Sequence, residues 1–309
     1  MIHSIRIENY KSIKEATTFD FTVDGNAPKT TRYIQSKVLK NRRINAVTTF
    51  IGPNASGKTT SLKAIVLINW LLTESFYEAK ENRSLRSMYD PFGTKLRKGV
   101  PTKLAVTFER KGQLYDYSVS LFKGNIDFEK LSVKSASEVR TTSKTIFERS
   151  WDTNNKRYNY VFKNGVSTIN FERFNLADQR HISILAISDR FGEDYARDIC
   201  DYWRGLKSNI ELNRYYIYRQ EAFGTLMEMS FDDKKGLKSF VNDIRRYDSG
   251  IIGYDTKHRT LEHRTSDGEV LKLEIEDESS GTQQLIVLIS KLQFALRSGG
   301  VAVIDEFDE

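Results

Sequence analysis

The segment Gly52-Pro53-Asn54-Ala55-Ser56-Gly57-Lys58-Thr59 has glycines at its first and sixth positions, lysine at the seventh and a hydroxyl at the eighth. That spacing suits the binding of a phosphate chain. Glycines let the backbone curl until successive N–H groups point inward at anionic oxygens, and a helix starting at the lysine adds its positive N-terminal end. Lys58 then reaches the β- and γ-phosphates of a nucleotide and the Thr59 hydroxyl is a ligand for Mg²⁺, with Thr60 completing the expected binding set. The bland alternative is a tight turn without a ligand.

Two other groups bear on the same chemistry. Val301-Ala302-Val303-Ile304 runs into Asp305-Glu306-Phe307-Asp308-Glu309, and a carboxylate at the end of a parallel strand is where a doubly wound sheet presents its ligand. Asp305 is the expected Mg²⁺ partner, and Glu306 the expected catalytic base that orients or deprotonates an attacking water, alongside Lys58. Acidic chain ends are also commonly just solvated. Glu278-Ser279-Ser280-Gly281-Thr282-Gln283 precedes a helix with Leu285, Leu288, Ile289, Leu292 and Leu296 on one stripe. Small hydroxyl residues and glycine at a helix start form an anion site by the dipole argument, whereas the plainer reading is that Ser279 or Ser280 caps the helix.

These groups need elements to hold them. Ile5 and Ile7, then Phe19, Phe21 and Val23, alternate as strands; Ala46–Ile51 reads as a buried strand, and Thr59–Leu72 as a helix apolar on nearly every side. Between them Asp24–Arg43 is a basic connection of the kind that is usually a solvated loop, with nucleic-acid contact as the alternative reading. Period two returns at Tyr115, Tyr117, Val119 and Leu121, with a turn at Lys123-Gly124-Asn125, marking a β-rich lobe whose loop is the polar tract Ser135–Lys144. Tyr195, Ile199, Tyr202 and Leu206, then Leu237, Phe240, Val241 and Ile244, have helical spacing, and Asp267-Gly268 is a hairpin turn before Leu271, Leu273 and Ile275. The expected organisation is 1–172 carrying the phosphate loop and β-lobe, 173–248 as a helical insertion, and 249–309 carrying the Ser-Gly helix and acidic strand. The fold class is α/β.

The chain has 309 residues, 39% hydrophobic and 29% charged, with no apolar run of membrane-spanning length. Its single cysteine, Cys200, excludes an internal disulfide framework and a multi-cysteine zinc site, fits a reducing cytoplasm, and reads as a small buried hydrophobe. The net charge of +7 is unevenly spread. Residues 1–45 hold nine Lys/Arg against four Asp/Glu, and residues 274–309 hold two against eight. A basic start and an acidic end suit phosphate gripping at one place and carboxylate chemistry at another. Arg214-Tyr215-Tyr216, Tyr218-Arg219 and Arg245-Arg246-Tyr247 interleave cations with aromatics, as nucleic-acid surfaces do, although such spacing is more often core edge beside a solvated face.

The order of phosphate loop, insertion, Ser-Gly helix and acidic strand end resembles the ABC-type ATPase heads of the SMC and RecF superfamily, P-loop NTPases with an antiparallel β-lobe. More narrowly, Ile5-Arg6-Ile7-Glu8-Asn9-Tyr10-Lys11-Ser12 together with the segments above resembles the stand-alone prokaryotic ATPases of abortive infection and other anti-phage systems. Ile126–Leu131 with Ile146–Arg149 is similar to the β-lobe of that group. The resemblance implies ATP and Mg²⁺ as cofactors and a head-to-tail dimer. One head's loop and acidic strand end hold the nucleotide, and the partner's Ser279, Ser280, Gly281 and Gln283 close on the γ-phosphate. It also implies a toxin or effector protein as partner, with nucleic acid as a further one and no membrane. The rival readings are a RecF-like DNA maintenance ATPase and an ATP-dependent scaffold without turnover. Such heads continue with a D-loop and a switch histidine, absent here, so a fragment, or completion by another chain, is expected.

Overall fold

The computed structural model describes residues 1–77, 85–88, 90–93, 99–135, 143–163, 166–171, 179–210, 212, 234–258 and 260–306. Arg214–Arg219, most of the tract Ser135–Lys144 and Phe307–Glu309 lie outside them. The chain divides into two compact units, one of Met1–Arg204, Ile210–Asn213 and Val303–Glu309, the other of Gly205–Asn209 and Arg214–Ala302, a division that cuts across the 173–248 segment.

The first unit is built on an antiparallel sheet in the order β10-β9-β8-β7-β6-β1-β2. Its strands are β1 (Ile2–Glu8), β2 (Thr17–Asp20), β6 (Thr102–Arg110), β7 (Gln113–Phe122), β8 (Asn125–Ser135), β9 (Lys144–Asp152) and β10 (Arg157–Phe162). The period-two pattern dictates its buried face. Ile5, Val106, Tyr117, Leu131, Phe147 and Phe162 lie opposite one another in a single rung across six strands. The β7–β8 reversal falls where sequence put it, with Lys123 at φ 51° and Gly124 at φ 72°, the left-handed pair that a two-residue hairpin turn demands.

Helices cover this face. α1 (Lys58–Thr73) is buried on nearly every side as its composition requires, and α2 (Leu85–Met88) is a single turn. α3 (Ile184–Arg190) and α4 (Asp194–Arg204) pack on α1. Tyr202 and Trp203 of α4 meet Phe108 of β6 at ring-centroid distances of 5.7 and 5.4 Å. Cys200 is fully buried beside them, its thiol directed at the Leu72 carbonyl at 3.2 Å.

One rung along, the apolar pattern is broken by charge. Glu129 and Arg149 face each other across β8 and β9, both fully buried, with Arg149 Nη2 2.8 Å from Glu129 Oε2. Arg149 also donates to the Ile182 carbonyl, while Glu129 accepts from the Tyr117 hydroxyl and from the Ile184 amide at the start of α3. Burial, reinforced by Glu129, pushes the Tyr117 phenol well above its ordinary value of 10.0.

A smaller antiparallel sheet precedes the phosphate loop. β3 (Thr22–Asp24), β5 (Arg42–Asn45) and β4 (Tyr33–Gln35) form it in that order, so the basic connection is a folded hairpin element. Residues 46–51 correct the expectation of a buried strand. They pair with no strand among the described residues, and Val47 and Ile51 are 83% and 89% exposed. Within this stretch Phe50 packs on Phe19 and Phe21, at 5.3 and 6.4 Å.

The second unit packs α5 (Lys234–Arg245) and α6 (Ser280–Ser298) with β12 (Ile251–Asp255), β13 (Thr260–Arg264) and β14 (Val270–Glu274), around Phe240, Val241, Ile244, Ile251, Leu261, Ile286 and Ile289. Gly268 at φ 88° makes the expected β13–β14 turn. The α6 stripe is rotated from its expected place. Ile286, Ile289, Ser290 and Gln293 are buried, whereas Leu296 is 81% exposed. The buried polar groups are admitted by partners: Ser290 donates to the Ile286 carbonyl and Gln293 to Asp243 at 2.9 Å. The expected strand Val301–Ile304 is likewise reduced to Ala302–Val303, β15, in a two-residue ladder with β11 (Lys207–Ser208), where the Lys207 amide donates to the Val301 carbonyl. Among the described residues no helix is long and apolar enough to cross a membrane.

Candidate functional site

Residues Gly52–Ser56 are exposed and lead into α1, whose first helical residue is Lys58. The loop curls through two left-handed residues, Ala55 at φ 64° and Gly57 at φ 99°, with Ser56 between them. Alternating handedness of this kind turns successive amides toward one side and makes an anion-binding concavity. A Cβ at Gly52 would come within 2.8 Å of the Ser56 hydroxyl oxygen, so a side chain there would displace that hydroxyl. The Gly57 carbonyl accepts both the Ser61 amide and the Ser61 hydroxyl at 2.9 Å, which ties the loop's end to the helix.

The Lys58 ammonium folds back over the loop, donating to the Gly52 carbonyl at 2.8 Å and the Pro53 carbonyl at 3.1 Å. It is thus held at the rim of the concavity, bonded to oxygens that a phosphate oxygen would replace. The Thr59 hydroxyl has no hydrogen-bond partner among the described residues, the state a cation ligand requires. Thr60 is buried, and its hydroxyl lies 2.7 Å from that of Ser12. Loop, lysine and free hydroxyl together fit a magnesium-bound phosphate chain.

Ser12 is a residue that motif reading passed over, although it belongs to the Asn9-Tyr10-Lys11-Ser12 segment that carries the resemblance. The turn there is tight. Asn9 and Lys11 both have positive φ, Tyr10 bridges to Ile13 and is fully buried, and Ser12 is the side chain nearest Gly57. The turn that follows β1 therefore buttresses the loop.

Asp305 is half-buried at the end of β15, and Glu306 is exposed with φ 51°. Both belong to the same unit as the loop. Among the described residues no hydrogen bond or ion pair joins Glu306 to the loop, and no group of three or more His, Cys, Asp or Glu is placed to hold a metal ion.

In the second unit, Ser279 is the N-cap of α6, its hydroxyl oxygen accepting the Thr282 amide at 3.1 Å, so the capping role is realised. Gln283 turns back and donates to the carbonyls of Glu276 and Glu278 at 3.0 and 2.9 Å. Glu278 is buried and meets His263 Nε2 at 2.7 Å, another partner that motif reading did not reveal. Ser280 and Gly281 are left exposed at the first turn of the helix. Arg245 and Arg246 are exposed at the end of α5, with Arg246 3.8 Å from Asp243 and Tyr247 65% exposed.

A family model described as "AAA domain, putative AbiEii toxin, Type IV TA system" matches residues 47–309. No curated protein matches the chain.

Proposed function

The chain belongs to the AAA-domain family whose model spans residues 47–309, and from that premise we propose that it is an ATP-hydrolysing head of the ABC type, related to the SMC and RecF superfamily, which pairs head to tail on ATP. Membership implies a P-loop NTPase that binds nucleotide. The observation that carries the proposal is the loop itself, curled through Ala55 and Gly57, with Lys58 at its rim and the Thr59 hydroxyl free.

Each residue has a role in this reading. The Gly52–Thr60 backbone and the start of α1 bind the phosphates, and Lys58 exchanges two carbonyl bonds for bonds to phosphate oxygens. Thr59 and Asp305 hold Mg²⁺, which supplies positive charge against the phosphate oxygens. Glu306 takes the proton of an attacking water at its carboxylate. The Ser280 and Gly281 amides, presented by a helix whose start Ser279 has capped, receive the γ-phosphate held by a second copy. Loss of that phosphate separates the heads, a switch biased by nucleotide. The family's description supports a place in toxin–antitoxin or abortive-infection defence, with an effector protein as the element switched.

The test is Mg²⁺-dependent ATP turnover by the full chain over a range of protein concentrations, beside Lys58→Ala and Glu306→Gln. Turnover should rise faster than linearly with protein and vanish in both variants. Lys58→Ala should lose ATP binding, and Glu306→Gln should keep it and accumulate dimer. Equal dimer content in Glu306→Gln with and without ATP would rule out the head-to-tail arrangement, and binding without turnover would favour a nucleotide-dependent scaffold.

A further inference from the structure

The first turn of α6 is held by more bonds than a capped helix needs. Ser279 caps it, Gln283 draws in the carbonyls of Glu276 and Glu278, and the Ser279 and Thr282 hydroxyls lie 2.9 Å apart. To these the chain adds a buried ion. Of the acids Glu274, Glu276, Asp277 and Glu278, the first three are exposed and Glu278 is buried. Its carboxylate meets His263 Nε2 at 2.7 Å, and since an ionised carboxylate can only accept, the ring nitrogen is the donor.

His263 comes from a different element. Alternation along β13 puts it on the same face as Leu261, which is fully buried in the core that also holds Ile275 and, from α6, Ile286 and Ile289. Ile251 of β12 and Leu271 of β14 lie opposite it and fix its place in the sheet. Both ends of the His263–Glu278 bond are thus anchored to one core, and the bond sets where the residue before the cap stands against β13. Stability alone does not call for it, because desolvating a buried carboxylate offsets much of what its partner returns, and apolar side chains of similar size would hold the segment as well. What the pair adds is a fixed length and direction, whereas apolar packing lets a helix start slide or turn. The groups so fixed are the Ser280 and Gly281 amides, neither of which donates to an acceptor among the described residues.

We infer that His263 is a positioning residue acting in trans: through Glu278 it holds the Ser280 and Gly281 amides in register for the γ-phosphate bound by a second copy. This rests on the head-to-tail reading above and adds to it a residue 15 positions before Glu278. Ser279 and Gln283 tie the turn to itself, and His263 ties it to the sheet. The chain's own hold on nucleotide is separate, since Gly52–Thr60 belong to the first unit and His263 and Glu278 to the second.

Sedimentation of the full chain with Mg²⁺ and ATP, in the Glu306→Gln background that should accumulate dimer, tests it. His263→Phe/Glu278→Leu removes the bond without leaving a charge buried, and should weaken the ATP-dependent dimer at least ~tenfold, an effect that a displacement of about 1 Å is enough to produce. His263→Gln, whose amide nitrogen can donate in place of Nε2, should dimerise like the parent. Melting temperature and affinity for a fluorescent ATP analogue should match the parent in both. Mixing the Phe/Leu variant with Lys58→Ala in the same background should recover an ATP-dependent dimer that neither forms alone, because the first holds ATP against the intact Ser280-Gly281 turn of the second. A defect confined to one head's own nucleotide site would not be recovered in this way. A parent without an ATP-dependent dimer would end the head-to-tail reading and this inference with it. A parent that dimerises beside a Phe/Leu variant that dimerises equally well, or that Lys58→Ala fails to recover, overturns this inference alone.

Discussion

The hydroxyls of Ser12 and Thr60, 48 positions apart in sequence, lie 2.7 Å from one another and join the turn after β1 to the first turn of the helix carrying Lys58 and Thr59. Because Thr60 is buried, Ser12→Ala leaves its hydroxyl short of a partner. We expect a loss of about 1 kcal/mol in stability and a several-fold weaker affinity for ATP, with Ser12→Thr close to wild type. Thermal melting beside titration of a fluorescent ATP analogue separates the two effects; wild-type values for both would show that the loop does not depend on this turn.

Ala55 adopts φ 64°, a conformation that costs a residue with a Cβ about 1 kcal/mol. Ala55→Gly removes that strain but adds freedom to the unfolded chain, so the two terms nearly cancel and urea stability should stay within about 0.5 kcal/mol. Ala55→Val should lose about 1–2 kcal/mol, because a β-branched side chain tolerates positive φ worse. Equal stability for glycine and valine at this position would mean that the loop does not keep this curl in solution.

The Glu129–Arg149 pair allows a double-mutant cycle. Arg149→Met alone leaves a buried carboxylate without its cation and should cost about 3–5 kcal/mol. Arg149→Met/Glu129→Leu should cost clearly less than the sum of the two single changes. Additive costs in urea denaturation would show that the two charges act independently.

Acid should destabilise the first unit through His3. Its imidazole is lowered from the ordinary 6.5, chiefly by burial, against the raising influence of Glu109 and Asp20, with the chain's amino terminus lowering it further. The fold therefore favours the neutral ring. Below 6.5 the unfolded chain binds more protons than the folded one, so stability present above that value is lost as pH falls through it toward the folded value. His181, lowered by burial, acts in the same direction. Urea midpoints should fall between about pH 7 and pH 5, and His3→Gln should flatten part of that fall. A midpoint that rises on acidification would contradict the assignment.

Much of this was legible in sequence, for reasons that mark where legibility ends. Alternation along Tyr115–Leu121 and the Lys123-Gly124 turn report local geometry, and the structure repeats them. The loop residues 52–59 and the helix after them are local too. Ala46–Ile51 failed because an apolar run indicates only that burial is favourable, whereas burial itself needs a partner from elsewhere in the chain. The α6 stripe failed in the opposite sense. Ser290 and Gln293 look like surface residues until the Ile286 carbonyl and Asp243 are known to receive them. Glu109 holds Ser36 from 73 positions away, and no spacing rule reaches that far. For the same reason a basic run that reads as a solvated loop proved to be a braced hairpin.

The one thiol of the chain is sealed between α4 and the end of α1 opposite the phosphate loop, against the Leu72 carbonyl, and burial raises it far above an ordinary cysteine. An alkylating reagent therefore reaches Cys200 only when α4 parts from α1, and the labelling rate measures how often that happens. The molecule thus carries its own clock for the stiffness of the helix that begins at Lys58. A ligand gripped by the loop that braces α1 along its length should slow that clock, with no substitution introduced.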